Sequence, residues 1–563
     1  LFVKDWIYVK DCFIFVKAIA MKISITNKKH NNIFVMKKSS LFFIATFVLF
    51  AYYSAKAQSY STDNTIVHIE AGKIRGKFDK SVYIFKNIPF AAPPVGNLRF
   101  AAPVKPTPWQ GVRDAIASGP TAPFPTPKDA DIDGKPTFGK GWVKGDNFLT
   151  TNVWTPNVKT GRLPVMVYIH GGAFVLGTSN VPIFDGTSFA KKGVVLVSFN
   201  YRLGIEGFLK IDGVPTNIGI RDQIAALKWV QKNIKAFGGD PSNVTVFGES
   251  AGAISVGVLV TSPAAKGLFK SAIMQSGSGQ AVLSGEQADR IAKKYATTLH
   301  IKNTREAYMK FTPEQLVAYQ PKVTPKMVKL ETEDFSDPSG GVSLYFPVID
   351  QDIVPKVPLA NARNGAGSDY NLLIGYNTDE MNYFLVPTGV LKKIKLNLIL
   401  NFAVKKVHPA PAKLISIYKK EYPKKNLGEL FSAVLTSYQA QVPSIRFANA
   451  HALTGKTYMY EFAWPSSVAN GTYGAYHGLE IPFVFNNLDI VTGQRGMLGP
   501  NGGPAELANK MQDAWVQFAK TGSPGWEAYD NKQRRTMLIN KTWVLQTNPH
   551  AKILSAWDGV RDK

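Results

Sequence analysis

Gly248-Glu249-Ser250-Ala251-Gly252 is the only G-x-S-x-G stretch in the 563 residues. A chain of this length carries about 0.2 such matches by chance, so the pattern needs its context. The apolar run Val244 to Phe247 precedes it, and the small apolar stretch Ala251 to Val260, suited to starting a helix, follows it. A serine on a strand-to-helix turn of this kind takes a strained backbone, and glycine on both sides lets neighbouring chain come close. Ser250 is therefore the candidate nucleophile.

A serine hydroxyl is a poor nucleophile until a base takes its proton, and in folds with this turn the chain order is serine, acid, histidine. Of the eight histidines, His300, His408, His451, His477 and His550 follow Ser250. His477 lies in Gly474-Ala475-Tyr476-His477-Gly478, where small neighbours let an imidazole reach over a sheet edge. His408, before Pro409 in a lysine-rich segment, and His550, after Pro549, read as surface residues. Asp379 and Glu380 follow the apolar run Leu372 to Gly375, and either could orient the imidazole and stabilise its charged form. Charge developing on a carbonyl oxygen needs prepositioned donors. The run His170-Gly171-Gly172-Ala173-Phe174 offers the amides of Gly172 and Ala173, to be joined by that of Ala251, while His170 itself reads as structural.

These residues need a scaffold that brings them together. Pro164 to His170 and Val194 to Phe199 are short β-branched runs of the sort found in strands buried on both faces. Ile224, Leu227, Val230, Ile234 and Phe237 recur at three and four, predicting an amphipathic helix over 221–237. Gly238-Gly239 ends it, a turn at 240–243 follows, and a strand begins at Val244. Strand, helix, strand predicts a parallel sheet with crossover helices. Further strands are expected at 272–275, 372–375 and 457–462, and a last helix with Leu507, Met511, Trp515 and Phe518 on one face. Residues 280–365 read as a helical insertion over the carboxyl edge of the sheet, and 120–144 as a Pro- and Gly-rich rim loop. The whole is an α/β chain with a mostly parallel central sheet flanked by helices, and residues 58–563 form one domain.

Residues 1–57 are read as a leader. Lys37 and Lys38 after Met36, thirteen uncharged residues from Leu41 to Tyr53, and Ala55-Lys56-Ala57 before Gln58 follow the signal-peptide plan. Thirteen residues fall short of a membrane span, so cleavage near Ala57 and a secreted or periplasmic protein without stable membrane insertion are expected. Residues 1–35 read as upstream sequence, with Met36 the favoured start over Met21. The leader carries nine Lys and two Asp, so the net charge of +26 falls to +19 without it. No nucleic-acid motif accompanies this charge, and no nucleic-acid partner is expected. The densest run, Leu391 to Asn426, contains ten lysines and reads as the solvated face of peripheral helices. Cys12, in the leader, is the only cysteine, so the mature protein is expected to have neither disulfide nor thiol chemistry. No metal or cofactor is expected.

Further stretches carry a resemblance to a known family: Ile84 to Phe100, Asn152 to Pro156, Asn200 to Leu209, Asn217 to Gly252, Met274 to Ser278, Gly375 to Glu380 and Tyr476 to Phe485. From about Asn64 to Trp557 the chain resembles the type-B carboxylesterase and lipase family, which includes the cholinesterases. The resemblance implies the α/β-hydrolase fold, with Ser250 as nucleophile, Glu380 as acid, His477 as base, and Gly172, Ala173 and Ala251 as oxyanion donors. It also implies Glu249, Ser276 and Glu480 as supports behind them. The implied activity is hydrolysis of small to medium uncharged carboxylic esters through an acyl-enzyme. The other readings are a lipase or amidase of the same fold, or an adhesion relative, which would have lost the serine. Two departures stand out. The family usually has Gly after its acid, where this chain has Met381, and Ala122 and Asn147 stand where many members have a cystine.

Overall fold

Val165, Val167 and Ile169 pack into one hydrophobic cluster and the alternate residues Met166 and Tyr168 into another, and all five are buried. A strand covered on both faces has no polar side, which is why this segment reads as a continuous apolar run. The computed structural model describes residues 65–127, 131–159, 161–277, 279–332, 335–338 and 340–562. Residues 67–562 belong to one compact unit. The expected leader, its cleavage site and Cys12 lie outside the described residues.

Among the described residues, eleven strands form one sheet. They are β1 (Lys77–Asp79), β2 (Val82–Pro89), β3 (Thr150–Thr155), β4 (Leu163–Ile169), β5 (Val195–Phe199), β6 (Gly239–Glu249), β7 (Ser271–Gln275), β8 (Asn371–Asn377), β9 (Thr457–Phe462), β10 (Thr536–Ile539) and β11 (Val544–Gln546). Their spatial order is β11-β10-β9-β8-β7-β6-β4-β5-β3-β2-β1. The stretch from β10 to β5 is parallel throughout, and the strands beyond it on either side pair antiparallel. Helices α1 (Ile218–Asn233), α2 (Ala251–Thr261) and α3 (Gly285–Leu299) pack into the first cluster. A second helical insertion carries α4 (Asn397–Val404), α5 (Pro411–Glu421), α6 (Leu427–Thr436) and α7 (Val442–His451). Helix α8 (Ala505–Thr521) buries Leu507, Met511, Trp515 and Phe518 in the second cluster and ends at Gly522, whose φ of 75° is left-handed. This is the α/β-hydrolase arrangement, mostly parallel and covered on both faces.

Three expectations need correction. Helix α1 starts at Ile218 and stops at Asn233, and Ile234 to Phe237 tighten into a 3₁₀ turn closed by left-handed Gly238. Strand β6 reaches back through the expected turn, because Leu163 pairs with Gly239 and Val165 with Val244. The extra residues bulge out around Asp240, whose carboxylate accepts from the Ser242 amide at 2.9 Å. His408 and His550 are not free surface residues. The terminal helix Ala551–Ala556 folds back on α5, so His408 bonds the Ala556 carbonyl at 2.9 Å and lies edge-on to Trp557, while His550 Nε2 sits 2.8 Å from the buried carboxylate of Glu461 on β9. Burial disfavours a charged His550, but the Glu461 hydrogen bond and charge outweigh it and raise its pKa.

The loop after β5 is pinned by a buried ion pair. Arg202 donates Nε and Nη2 to the two carboxylate oxygens of Asp222 on α1, at 2.8 and 2.6 Å, and both side chains are fully enclosed. Tyr201, next to it, stacks on His170 at 4.5 Å and donates its hydroxyl to the His170 carbonyl at 2.9 Å. The pair thus steadies the turn that follows β4. Removing one partner strands the other charge in the core, a loss of about 3–5 kcal/mol. Arg202→Met is therefore expected to lower the urea unfolding midpoint sharply. Arg202→Met/Asp222→Leu is expected to recover much of the loss, and a single variant that unfolds with the parent would contradict this account.

Candidate active site

Ser250 sits on the turn between β6 and α2 with φ 55° and ψ −122°, outside the regions a non-glycine residue normally takes. Packing enforces the glycines around it. A Cβ on Gly252 would collide with the Ile169 carbonyl oxygen, and one on Gly248 would stand 2.6 Å from the Gly252 carbonyl carbon. The Ser250 amide donates to the Gln275 carbonyl at 2.9 Å, tying the turn to the end of β7.

His477 comes from the loop after β9, and its Nε2 lies 2.8 Å from Ser250 Oγ. Its Nδ1 lies 2.6 Å from Glu380 Oε2. With the ring proton on Nδ1 donated to that carboxylate, Nε2 is left to accept from the serine. The alternative left open by the sequence is resolved by what holds Asp379. Its carboxylate accepts from the Ala475 amide at 3.2 Å and from Lys425 Nζ at 3.1 Å, and its own amide donates to the Ala475 carbonyl. Asp379 therefore clips the histidine loop to the acid loop and faces away from the ring. Met381 is accommodated without strain, since its φ of −77° suits any side chain, its amide donates to Thr436 Oγ1 at 3.2 Å and the residue lines the cavity.

Behind His477 lies a relay of buried polar groups. The Asn377 amide donates to Glu380 Oε1 at 2.7 Å, and Asn377 Nδ2 donates to Glu480 Oε2 at 2.7 Å. Gln275 Nε2 donates to Glu480 Oε1 at 3.2 Å, and Gln275 Oε1 accepts from Trp515 Nε1 at 3.1 Å. Asn377, Gln275 and Trp515 escape the sequence reading. Asn377 and Gln275 stand inside quoted motif stretches, but nothing in the order of residues shows that they meet at Glu480.

The carboxylates set the electrostatics. Burial pushes Glu249 up to about 8, only partly opposed by His477, and burial with the neighbouring Glu380 charge raises Glu480. Burial works against a charged His477, yet Glu249, 3.3 Å away, and Glu380 together raise its pKa. His170 goes the other way: burial drives it to about 4, so it is neutral, and its Nδ1 bonds the Gly171 carbonyl at 2.8 Å. It is structural, as expected.

The Gly171–Phe174 turn closes in on Ser250. A Cβ on Gly171 would lie 2.7 Å from Glu249 Oε2 and 3.1 Å from Ser250 Cβ, and Gly172, Ala173 and Phe174 all take positive φ. The Gly172 and Ala173 amides donate to no acceptor among the described residues, and that of Ala251, at the first position of α2, has no intrahelical partner. Ala173, Ser250, Ala251, Ser276 and His477 line one cavity of about 90 Å³, walled by Phe174, Ile254, Val342, Phe346 and Phe384. The Ser276 hydroxyl is buried there and has no hydrogen-bond partner among the described residues. The arrangement can deprotonate a serine, hold a carbonyl beside it and offer amides to an oxyanion. Among the described residues no group of His, Cys, Asp and Glu has the makings of a metal site.

Comparison with known proteins agrees with the fold. Residues 63–557 match the model of the carboxylesterase family. The para-nitrobenzyl esterase of Bacillus subtilis is 34% identical over 501 residues, covering 86% of this chain and 97% of the relative. Phenmedipham hydrolase of Pseudarthrobacter oxydans is 31% identical over 468 residues, covering 82% and 90%. A solved carboxylesterase of Geobacillus stearothermophilus superposes with a TM-score of 0.76 at 33% identity, covering 88% of this chain and all of the other. The chain belongs to the carboxylesterase family.

Proposed function

We propose that Ser250, His477 and Glu380 hydrolyse small to medium uncharged carboxylic esters through an acyl-enzyme. The observation that carries this reading is the continuous contact Ser250 Oγ–His477 Nε2 at 2.8 Å and His477 Nδ1–Glu380 at 2.6 Å. Ser250 Oγ attacks the ester carbonyl as its proton passes to His477 Nε2. The oxyanion takes hydrogen bonds from the Gly172, Ala173 and Ala251 amides. Collapse breaks the bond to the alkoxide, which leaves with the proton from His477. Water then gives a proton to His477 and attacks the acyl carbon, and the same proton returns to Ser250 as the acid departs. The apolar cavity walls, with Glu380 the only ionisable carboxylate among them and engaged by His477, support an uncharged acyl group. One relative is named for para-nitrobenzyl esters, which makes those esters and p-nitrophenyl acetate suitable first probes.

Ser250→Ala is expected to lower kcat by about 10⁶-fold, and Glu380→Gln by about 10⁴-fold because the imidazole loses its orienting partner. Asp379→Asn keeps an oxygen for the Ala475 amide and is expected to cost far less. Steady-state kinetics on p-nitrophenyl acetate that rank Asp379→Asn below Glu380→Gln would overturn the assignment of the acid.

The base works only when neutral, so activity is lost as pH falls through the His477 pKa. Because that pKa is raised, the acid limb of kcat/KM is expected to lie above the ordinary histidine value near 6.5. Glu249→Gln removes a carboxylate whose charge favours the imidazolium, so the limb should move to lower pH. A limb that moves upward in this variant would contradict the electrostatic account.

Export is the remaining proposal. The basic, apolar and small-residue segments from Met36 to Ala57 support it. Protein recovered outside the cytoplasm is expected to begin at Gln58, and N-terminal sequencing that finds Met36 there would refute cleavage.

A further inference from the structure

The lysine-rich insertion carries an apolar surface that the fold leaves uncovered. Leu396 is 61% exposed, Leu398 80%, Ile399 42% and Phe402 69%. Leu398, Ile399 and Phe402 follow the three- and four-residue spacing of α4 and share its outer side, while Leu400 and Val404 are fully buried on the inner side, where α4 packs on α5 and α6. A helix apolar on both faces normally has both covered. Here one face has no partner among the described residues.

Lysine is dense in the chain on both sides of this patch. Between Glu380 and Glu421 the chain has no acidic residue and eight lysines: Lys392, Lys393, Lys395, Lys405, Lys406, Lys413, Lys419 and Lys420. All eight are exposed, and none forms an ion pair among the described residues. Lys406 Nζ stands 5.7 Å from the centre of the Phe402 ring, so cation and apolar surface are in contact.

We propose that α4 and its flanking lysines dock the protein on anionic lipid, with Leu398, Ile399 and Phe402 entering the headgroup boundary and the lysines meeting phosphate. Exposed apolar side chains flanked by lysines without a carboxylate partner are the composition of an interfacial helix. A nucleic acid would engage the lysines but leave the aliphatic side chains in water. An acidic protein surface would satisfy the lysines and offer nothing to Leu398. Eight residues cannot cross a bilayer, and no helix among the described residues is long and apolar enough to do so, so the contact is peripheral. The insertion also supplies Phe384, Gln439 and Ala440 to the wall of the Ser250 cavity, so the docking face and the cavity belong to the same stretch of chain.

The test is co-sedimentation of the full chain with vesicles of phosphatidylcholine alone and with about one third phosphatidylglycerol. Binding to the anionic vesicles is expected to be at least about tenfold stronger and to weaken with salt. Leu398→Ser/Phe402→Ser and Lys392→Gln/Lys393→Gln/Lys395→Gln alter only exposed side chains. Each should keep the parent's thermal unfolding midpoint and lose about tenfold or more in binding to the anionic vesicles. The leader is present in parent and variants alike, so its own affinity cancels. Variants that bind as the parent does, or equal binding to both vesicle types, would overturn the proposal. So would a parent dimer in light scattering that Leu398→Ser/Phe402→Ser dissociates, which would give the face to a second copy of the chain.

Discussion

The site depends on how closely three pieces of backbone approach one another beyond the carboxyl ends of β4 and β6. Gly252 lies against the Ile169 carbonyl, Gly248 against Gly252, and Gly171 against Glu249 and Ser250. No side chain fits at any of the three. The approach forces the chain to turn at Ser250 within a single residue, which explains the φ of 55° there. Strain of this kind costs about 1–3 kcal/mol. It is opposed by hydrogen bonds from the Ser250 amide to Gln275 and from the Ile254 amide to the Ser250 carbonyl, each 2.9 Å. The same approach leaves the Gly172, Ala173 and Ala251 amides without acceptors beside the serine, so strain at Ser250 and the unspent donors have one cause.

Three buried glutamates within reach of one histidine would repel one another if all were ionised, and the hydrogen bonds show how the fold treats them differently. Glu380 takes the Asn377 amide and His477 Nδ1, both at short range. Glu480 is held by Asn377 and Gln275 side chains, neutral donors that orient it without cancelling its charge. Glu249 Oε1 has no hydrogen-bond donor of its own among the described residues and faces the imidazole 3.3 Å away, and burial pushes Glu249 up to about 8. The imidazole is thus oriented by one carboxylate and biased toward the charged form by others.

What was legible in the sequence follows the range of the interactions. The glycines around Ser250 and the Gly171-Gly172-Ala173 run answer to local backbone demands, and local demands leave local patterns. So do strands buried on both faces, whose apolar runs fall on β4, β5 and β7. Asp379 and Glu380 could not be separated by spacing, because what distinguishes them is Lys425 and Ala475, far along the chain. His550 reads as a surface residue beside its proline until β9 brings Glu461 to it. The start of β6 looks like a turn because its partner Leu163 lies far upstream. The resemblance to a family resolved the acid where spacing alone left two candidates. The lysine run reads as exposed and is so except at Lys425, which pairs with Asp379, but an apolar residue at helical spacing reads as buried, so Leu398 and Phe402 give no sign of facing solvent.

The second insertion meets two demands at once along one helical arm. Between α6 and α7 the residues Ser437–Gln441 form a widened π turn, which admits an extra residue into the helix. Ser437 and Gln441 bond each other at 2.7 Å, and Gln441 donates to the Tyr376 hydroxyl on β8 at 3.3 Å, so the turn is anchored on the sheet just ahead of the Glu380 loop. Gln439 and Ala440, between them, are presented to the Ser250 cavity. One turn earlier, Thr436 accepts the Met381 amide. Thr436, Gln439 and Ala440, three and four residues apart, share one side of this arm, as helical spacing requires. A single long helical arm thus holds the acid loop and lines the cavity, while α6 at its start packs against α4.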